Sequence, residues 1–289
     1  MSFLILSILI SISSFVIDFQ KGNTPPWARL EEKIRKENDN SANFTWDQYA
    51  KLLTALSDKK FIVLPINEMR NRFDSSAVVV GMRHDIDKHP FKALEMADIE
   101  KKFGIRATYY VLPTAEYYGT IRNSCVERNP EMGALYLELY KKGAEIGIHN
   151  DLITMMIQYN CDPFSANREV LDYFQYLGIP IYGTAAHGSD LTKSMGINNF
   201  TIFSDFAITD SVSHNGHKYR IGQYSLIQYG YKYEAYHVKY NIYLSESGGS
   251  WKDPKGFDGV LAKLKSSKPG DRIEILTHPD WWGKKAEAK

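Results

Sequence analysis

Ala77-Val78-Val79-Val80-Gly81-Met82-Arg83-His84-Asp85-Ile86-Asp87 is an apolar, β-branched run that stops abruptly in acids and a histidine. Such a run reads as a buried parallel strand, and its polar ending places oxygen and nitrogen ligands at the carboxyl edge of a sheet or barrel, where these folds carry their chemistry. Three later segments repeat the design: 144–148 ends in His149-Asn150-Asp151, 180–186 ends in His187-Gly188, and 272–277 ends in His278-Pro279. A single strand ending in histidine is ordinary. Four such endings converge in space if the strands share one sheet, and Asp and His together suit a divalent metal.

Between these strands the chain alternates in the manner of parallel βα units. Helices are predicted over 91–103, 131–142 and 163–177, each followed by a glycine (Gly104, Gly143, Gly178). A second strand is predicted over 105–112, further strands over 200–203 and 240–244, and a helix over 257–264. Ahead of the first strand, 27–37 and 45–57 read as helices, the second with a capped start at Thr45-Trp46-Asp47-Gln48 and a core stripe of Tyr49, Leu52, Leu53 and Leu56. The fold class is α/β.

His84-Asp85-Ile86-Asp87, Glu145-Ile146-Gly147-Ile148-His149 and Leu276-Thr277-His278-Pro279 resemble motifs of the polysaccharide deacetylase (NodB-homology) family, over roughly 78–282. The resemblance implies an irregular (β/α) barrel of the glycoside hydrolase/deacetylase type and a metal-dependent hydrolase acting on carbon–nitrogen (amide) bonds. Its members remove N- or O-acetyl groups from sugars. They typically carry adjacent aspartates in the first motif, the first as base and the second as metal ligand. Here Ile86 separates Asp85 from Asp87, which leaves the two roles open. The second motif is typically His-x-x-x-His, but the fourth residue after His149 is Ile153. His187 is the replacement candidate; it falls near where the family has an Arg-containing motif, absent here in its usual form.

Amide or ester cleavage by a metal needs one base, one acid and about three ligands. Asp85 as base, Asp87, His149 and His187 as ligands of a divalent metal, zinc first among them, and His278 as general acid fill that requirement. Trp281 and Trp282 follow His278 closely enough to wall a carbohydrate site, and Asn150 and Asp151 complete the candidate substrate contacts. His84 and His89 read as hydrogen-bonding supports, His214, His217 and His237 as surface or structural residues, and the tyrosines of 224–243 as a twisted hairpin. A hydrolase of a non-sugar amide and a catalytically silent carbohydrate-binding barrel are the rival readings.

A chain of 289 residues, 44% of them hydrophobic, can bury one large core, and a net charge of +1 without a basic stripe argues against a nucleic-acid partner. Within residues 1–20, Ser2 to Ile17 is almost wholly apolar or small, about the length of a signal-peptide core, which favours export, with an uncleaved membrane anchor or a buried first helix of a cytosolic protein as the alternatives. Residues 21–77 read as a linker and N-terminal helices packing on the barrel, and 78–289 as the barrel domain. Cys125 and Cys161 leave the redox compartment open.

Overall fold

The computed structural model describes residues 25, 27–38, 42–122 and 124–283, so the apolar leader lies outside the described residues. The quoted run forms the strand Val78–Ile86, buried along its whole length at the centre of a nine-stranded sheet. In chain order the strands are β1 (Phe61–Pro65), β2 (Val78–Ile86), β3 (Thr108–Val111), β4 (Glu145–Asn150), β5 (Gly183–Ala186), β6 (Tyr233–Glu234), β7 (Ile242–Ser247), β8 (Ser250–Trp251) and β9 (Arg272–Thr277). They lie in the order β6-β5-β4-β3-β2-β9-β7-β8, and every neighbouring pair is parallel except β7 with β8. The nine residues of β2 serve two partners on one side: β1 pairs with its first half, and β3 with its second.

The sheet is curled into a half-barrel. Four strand spacings of about 4.8 Å would hold β2 and β6 roughly 19 Å apart in a flat sheet. Yet the Arg83 guanidinium of β2 lies 4.4 Å from the ring of Tyr236, two residues beyond β6. The strand period of two sorts side chains between the faces. Val78, Val80, Met82 and Ile86 join the helices in the main core, whereas Val79 packs inside the curl with Ile66, Met69, Tyr110, Ala185 and Tyr233. Close packing there demands glycine: a Cβ on Gly147 would strike the Tyr110 ring, and one on Gly183 the ring of Tyr233.

Local signals operate as the sequence predicts. Thr45 and Gln48 close a capping box at the start of helix Trp46–Leu56, whose Tyr49, Leu52, Leu53 and Leu56 are buried. Helices Pro90–Lys102, Met132–Lys141 and Pro163–Tyr176 are followed by Gly104, Gly143 and Gly178 in the left-handed conformation, which only glycine adopts without steric cost.

Three expectations need correction. Residues 200–203 are no strand: Asn199–Ile202 is a 3-10 turn, anchored by the Asn199 side chain, which donates to Asp151 and the His187 carbonyl and accepts from the Ile153 amide. Residues 224–243 form no hairpin, because Tyr233 and Glu234 pair in parallel with Gly183 and Thr184 while Tyr231 binds Asn167 of a helix. The sheet also begins ahead of Val78, at Phe61, inside the segment read as linker and helices.

Candidate metal centre

The parallel register brings the strand endings to one level. Ile86 stands opposite Val111, Val111 opposite Ile148, and Ile148 opposite Thr184, so Asp87 and His149 emerge side by side with His187 just beyond β5. On the other side of β2, His84 pairs with Thr277, which sets His278 beside Asp85. Residues 85, 87 and 149 point into the curl.

Asp87, His149 and His187 each offer one ligand atom, all within 4.8 Å of one another. His149 Nε2 and Asp87 Oδ1 are 3.4 Å apart, about the separation of two ligands at roughly 2.1 Å from a tetrahedral zinc. His149 Nδ1–H donates to the Ala185 carbonyl at 2.9 Å, which leaves the Nε2 lone pair facing the carboxylates, as a metal-binding imidazole requires. Buried Asp87 Oδ1 accepts no hydrogen bond among the described residues, a deficit that a cation would fill. Asp87 and His187 keep 28% and 20% of their side chains exposed against 3% for His149, so the cluster faces an opening.

Of the two acids, Asp87 joins the histidines while Asp85 is held back. Arg83 Nε and Nη2 donate to the two Asp85 oxygens at 2.9 and 2.8 Å, and Nη1 donates to Glu274 at 3.2 Å. Asp85 Oδ2 still lies 3.5 Å from His149 Nε2. Burial would raise the Asp85 carboxyl, but Arg83, then His149 and His278, outweigh it and hold it below the usual range. Asp87 is likewise depressed, against its own burial, by His149, His278 and His187.

His187 is oriented by Asp151, whose Oδ2 lies 3.4 Å from its Nδ1. Asp151 is itself fixed by donors from Thr114, Thr154 and Asn199. Burial disfavours the charged His187 ring, but Asp151 and Asp87 prevail and raise its pKa. His278 stands across the mouth with Nδ1 3.6 Å from Glu246 Oε2, which also accepts the His278 amide at 2.9 Å. Burial again opposes the charged ring, yet Glu246, Asp87 and Asp85 lift His278 to about 9, which favours its protonated form.

Three candidate substrate contacts and one expected support stand elsewhere than predicted. Trp282 is fully buried against Phe44, Tyr49 and Trp251, because its strand Trp282–Gly283 pairs with Phe44–Thr45 on the outer side; it seals the core and walls no site. Asn150 points outward, donating to the Asn199 carbonyl and accepting from the Leu152 amide, and buried Asp151 serves His187. His84 lies on the outer face, where Glu100 and Thr277 engage its two ring nitrogens, so it supports neither acid. Trp281 remains half-buried, its ring against Gly249. His237 stacks on Phe206, and His214 and His217 pair across a surface hairpin, as predicted.

Arg83, Glu246 and Asp280 belong to the site without having been given a role from sequence. Arg83 had a legible signal, since residues two apart on a strand share a face. Glu246, near the end of β7, and Asp280, on the turn after His278, were given none, because their partners lie on other elements. No protein-family model matches the sequence, and no curated protein matches it.

Proposed function

We propose that the protein is a metal-dependent hydrolase of the polysaccharide deacetylase type, built on an irregular (β/α) barrel and removing acetyl groups from an N- or O-acetylated carbohydrate. The observation that carries this is the convergence of Asp87, His149 and His187 within 4.8 Å, with Asp85 and His278 beside them on adjoining strands. The two-imidazole, one-carboxylate donor set fits zinc first among divalent metals. Bound there, the metal supplies a water of lowered pKa and polarises the carbonyl under attack.

The remaining steps fall to the chain's own residues. Asp85, ionised and held rigidly by Arg83, accepts the proton of the attacking water at Oδ2, the oxygen nearest His149. Protonated His278, oriented through Nδ1 by Glu246, hands a proton from Nε2 to the departing amine or alkoxide. Tyr236, partly exposed and with the Arg83 guanidinium 4.4 Å from its ring, offers an aromatic surface beside the site for a sugar ring. The absence of Trp282 and Asn150 from the site wall favours a non-sugar amide as the second reading.

Acetate release from a panel of N- and O-acetylated oligosaccharides by zinc-loaded protein tests the proposal. Turnover that requires metal and is lost in Asp87→Ala is the expected result. Stoichiometric metal with no acetate from any sugar would move the assignment to other amides or to a silent barrel.

A further inference from the structure

Asp280 is a buried acid beside the site that neither metal ligation nor proton transfer uses. It sits on the 3-10 turn Pro279–Trp281, directly after His278, and only 4% of it is exposed. Its Oδ1 accepts the backbone N–H of His89 at 2.8 Å and of Lys88 at 3.2 Å, the two residues that follow Asp87. In return, Lys92 Nζ, from the helix that this loop feeds, donates to the Asp280 carbonyl at 2.9 Å. The loop carrying Asp87 is thus tied to the turn after His278 by two hydrogen bonds to the Asp280 carboxylate, and the helix that follows the loop by a third to the Asp280 backbone carbonyl.

These ties matter because Asp87 lies past the end of β2, where ladder pairing has stopped at Ile86. His149 is held within β4 and by Ala185, and His187 by its own amide and by Asp151. The two Asp280 bonds give the Asp87 loop a tether across to the turn that follows β9. The arrangement is not favourable for Asp280 itself: burial and then the nearby Asp87 charge push its carboxyl up to about 7. An acid kept beside another acid in a buried place needs a compensating role, and the two amides it accepts supply one.

We infer that Asp280 is the positioning residue of the metal centre: by accepting the Lys88 and His89 amides it fixes the Asp87 ligand, and with it the spacing between the metal and His278, without touching either. The inference rests on the metal reading of the Asp87, His149 and His187 cluster.

The test is zinc affinity, measured on the full chain by competition with a chromophoric chelator, beside the melting temperature of the metal-free protein. Asp280→Asn keeps an oxygen that accepts both amides and is expected to stay within about 3-fold of wild type. Asp280→Ala loses both bonds and is expected to weaken zinc by about 10- to 100-fold, the usual scale for groups that orient metal ligands. Asp280→Glu keeps the charge but displaces the acceptor, so it should weaken zinc by about 10-fold; it decides the matter if the alanine variant does not fold. Wild-type affinity in Asp280→Glu and Asp280→Ala, or an asparagine variant as weak as alanine, overturns the inference. Wild-type protein that binds zinc no better than Asp87→Ala overturns the metal reading itself, and the inference with it.

Discussion

Asp85, in β2, and Asp87, one residue past its end, are two residues apart, share a face, and have different surroundings. Arg83 engages both oxygens of Asp85, whereas Asp87 Oδ1 accepts no hydrogen bond among the described residues. Asp85→Asn should therefore retain zinc within a few-fold of wild type and lose activity by about 10²-fold or more, the usual scale for a general base. Metal analysis alongside turnover checks this, and loss of zinc in that variant would make Asp85 a ligand. His278 gives a second prediction. His278→Ala should slow amide substrates by about 10²-fold, while an activated ester, whose leaving group needs no proton, should lose much less. Equal losses on both substrates would assign His278 to binding or oxyanion stabilisation. Asp87, His149, His187, Asp85 and His278 were legible in the sequence because each ends an apolar strand. Asn150, Asp151 and Trp282 misled because adjacency along the chain does not say which face a residue takes, and each turns away from the opening.

At the scale of elements, the strands and helices that could be read are those with strong local chemistry. The capping box at Thr45, the three left-handed glycines and the β-branched run of β2 all fix structure within a few residues. The elements that were missed depend on distant partners. Phe61–Pro65 gains its place through the first half of β2, and the alternating tyrosines leading into β6 reflect separate helix and sheet contacts, not strand pairing with each other. The inner-face glycines show how tightly the elements fit. Gly183 of β5 lies against the Tyr233 ring, which is buried and donates to Glu145 at 2.9 Å. Gly183→Ala should thus destabilise the fold by about 1–3 kcal/mol, the usual cost of overpacking a dense interior. Chemical denaturation checks this, and a variant as stable as wild type would mean that β6 shifts freely against β5.

Across the whole molecule, the curl closes three carboxyl groups around a single guanidinium. Asp85 and Glu274 bind Arg83 directly, and Glu234 arrives from β6 with Oε1 accepting the Ala186 amide and Oε2 without a partner among the described residues. One cation cannot neutralise three anions in a dry interior. Burial raises Glu234 to about 8 and Glu274 to about 7, with Arg83 only partly offsetting it. The unfolded chain ionises these groups near their ordinary value of 4.5, so it releases protons at lower pH than the native state does. For groups raised in this way, the stability contribution is fully present below about pH 4.5 and is lost as pH rises through about 7 to 8. His278, raised from 6.5 to about 9, has the same sign. Asp85, Asp87 and Asp151 are depressed, so their contribution is lost as pH falls below their unfolded value of 3.8. Metal-free protein should therefore be most stable near pH 5 and lose a few kcal/mol by about pH 9. Glu234→Gln keeps the acceptor for Ala186 but cannot ionise, and its stability should fall less steeply between pH 6 and pH 9. Denaturant midpoints at those two values give the slope for each protein. Parallel slopes would show that Glu234 is already ionised in the native state, its charge met by Arg83 across the curl.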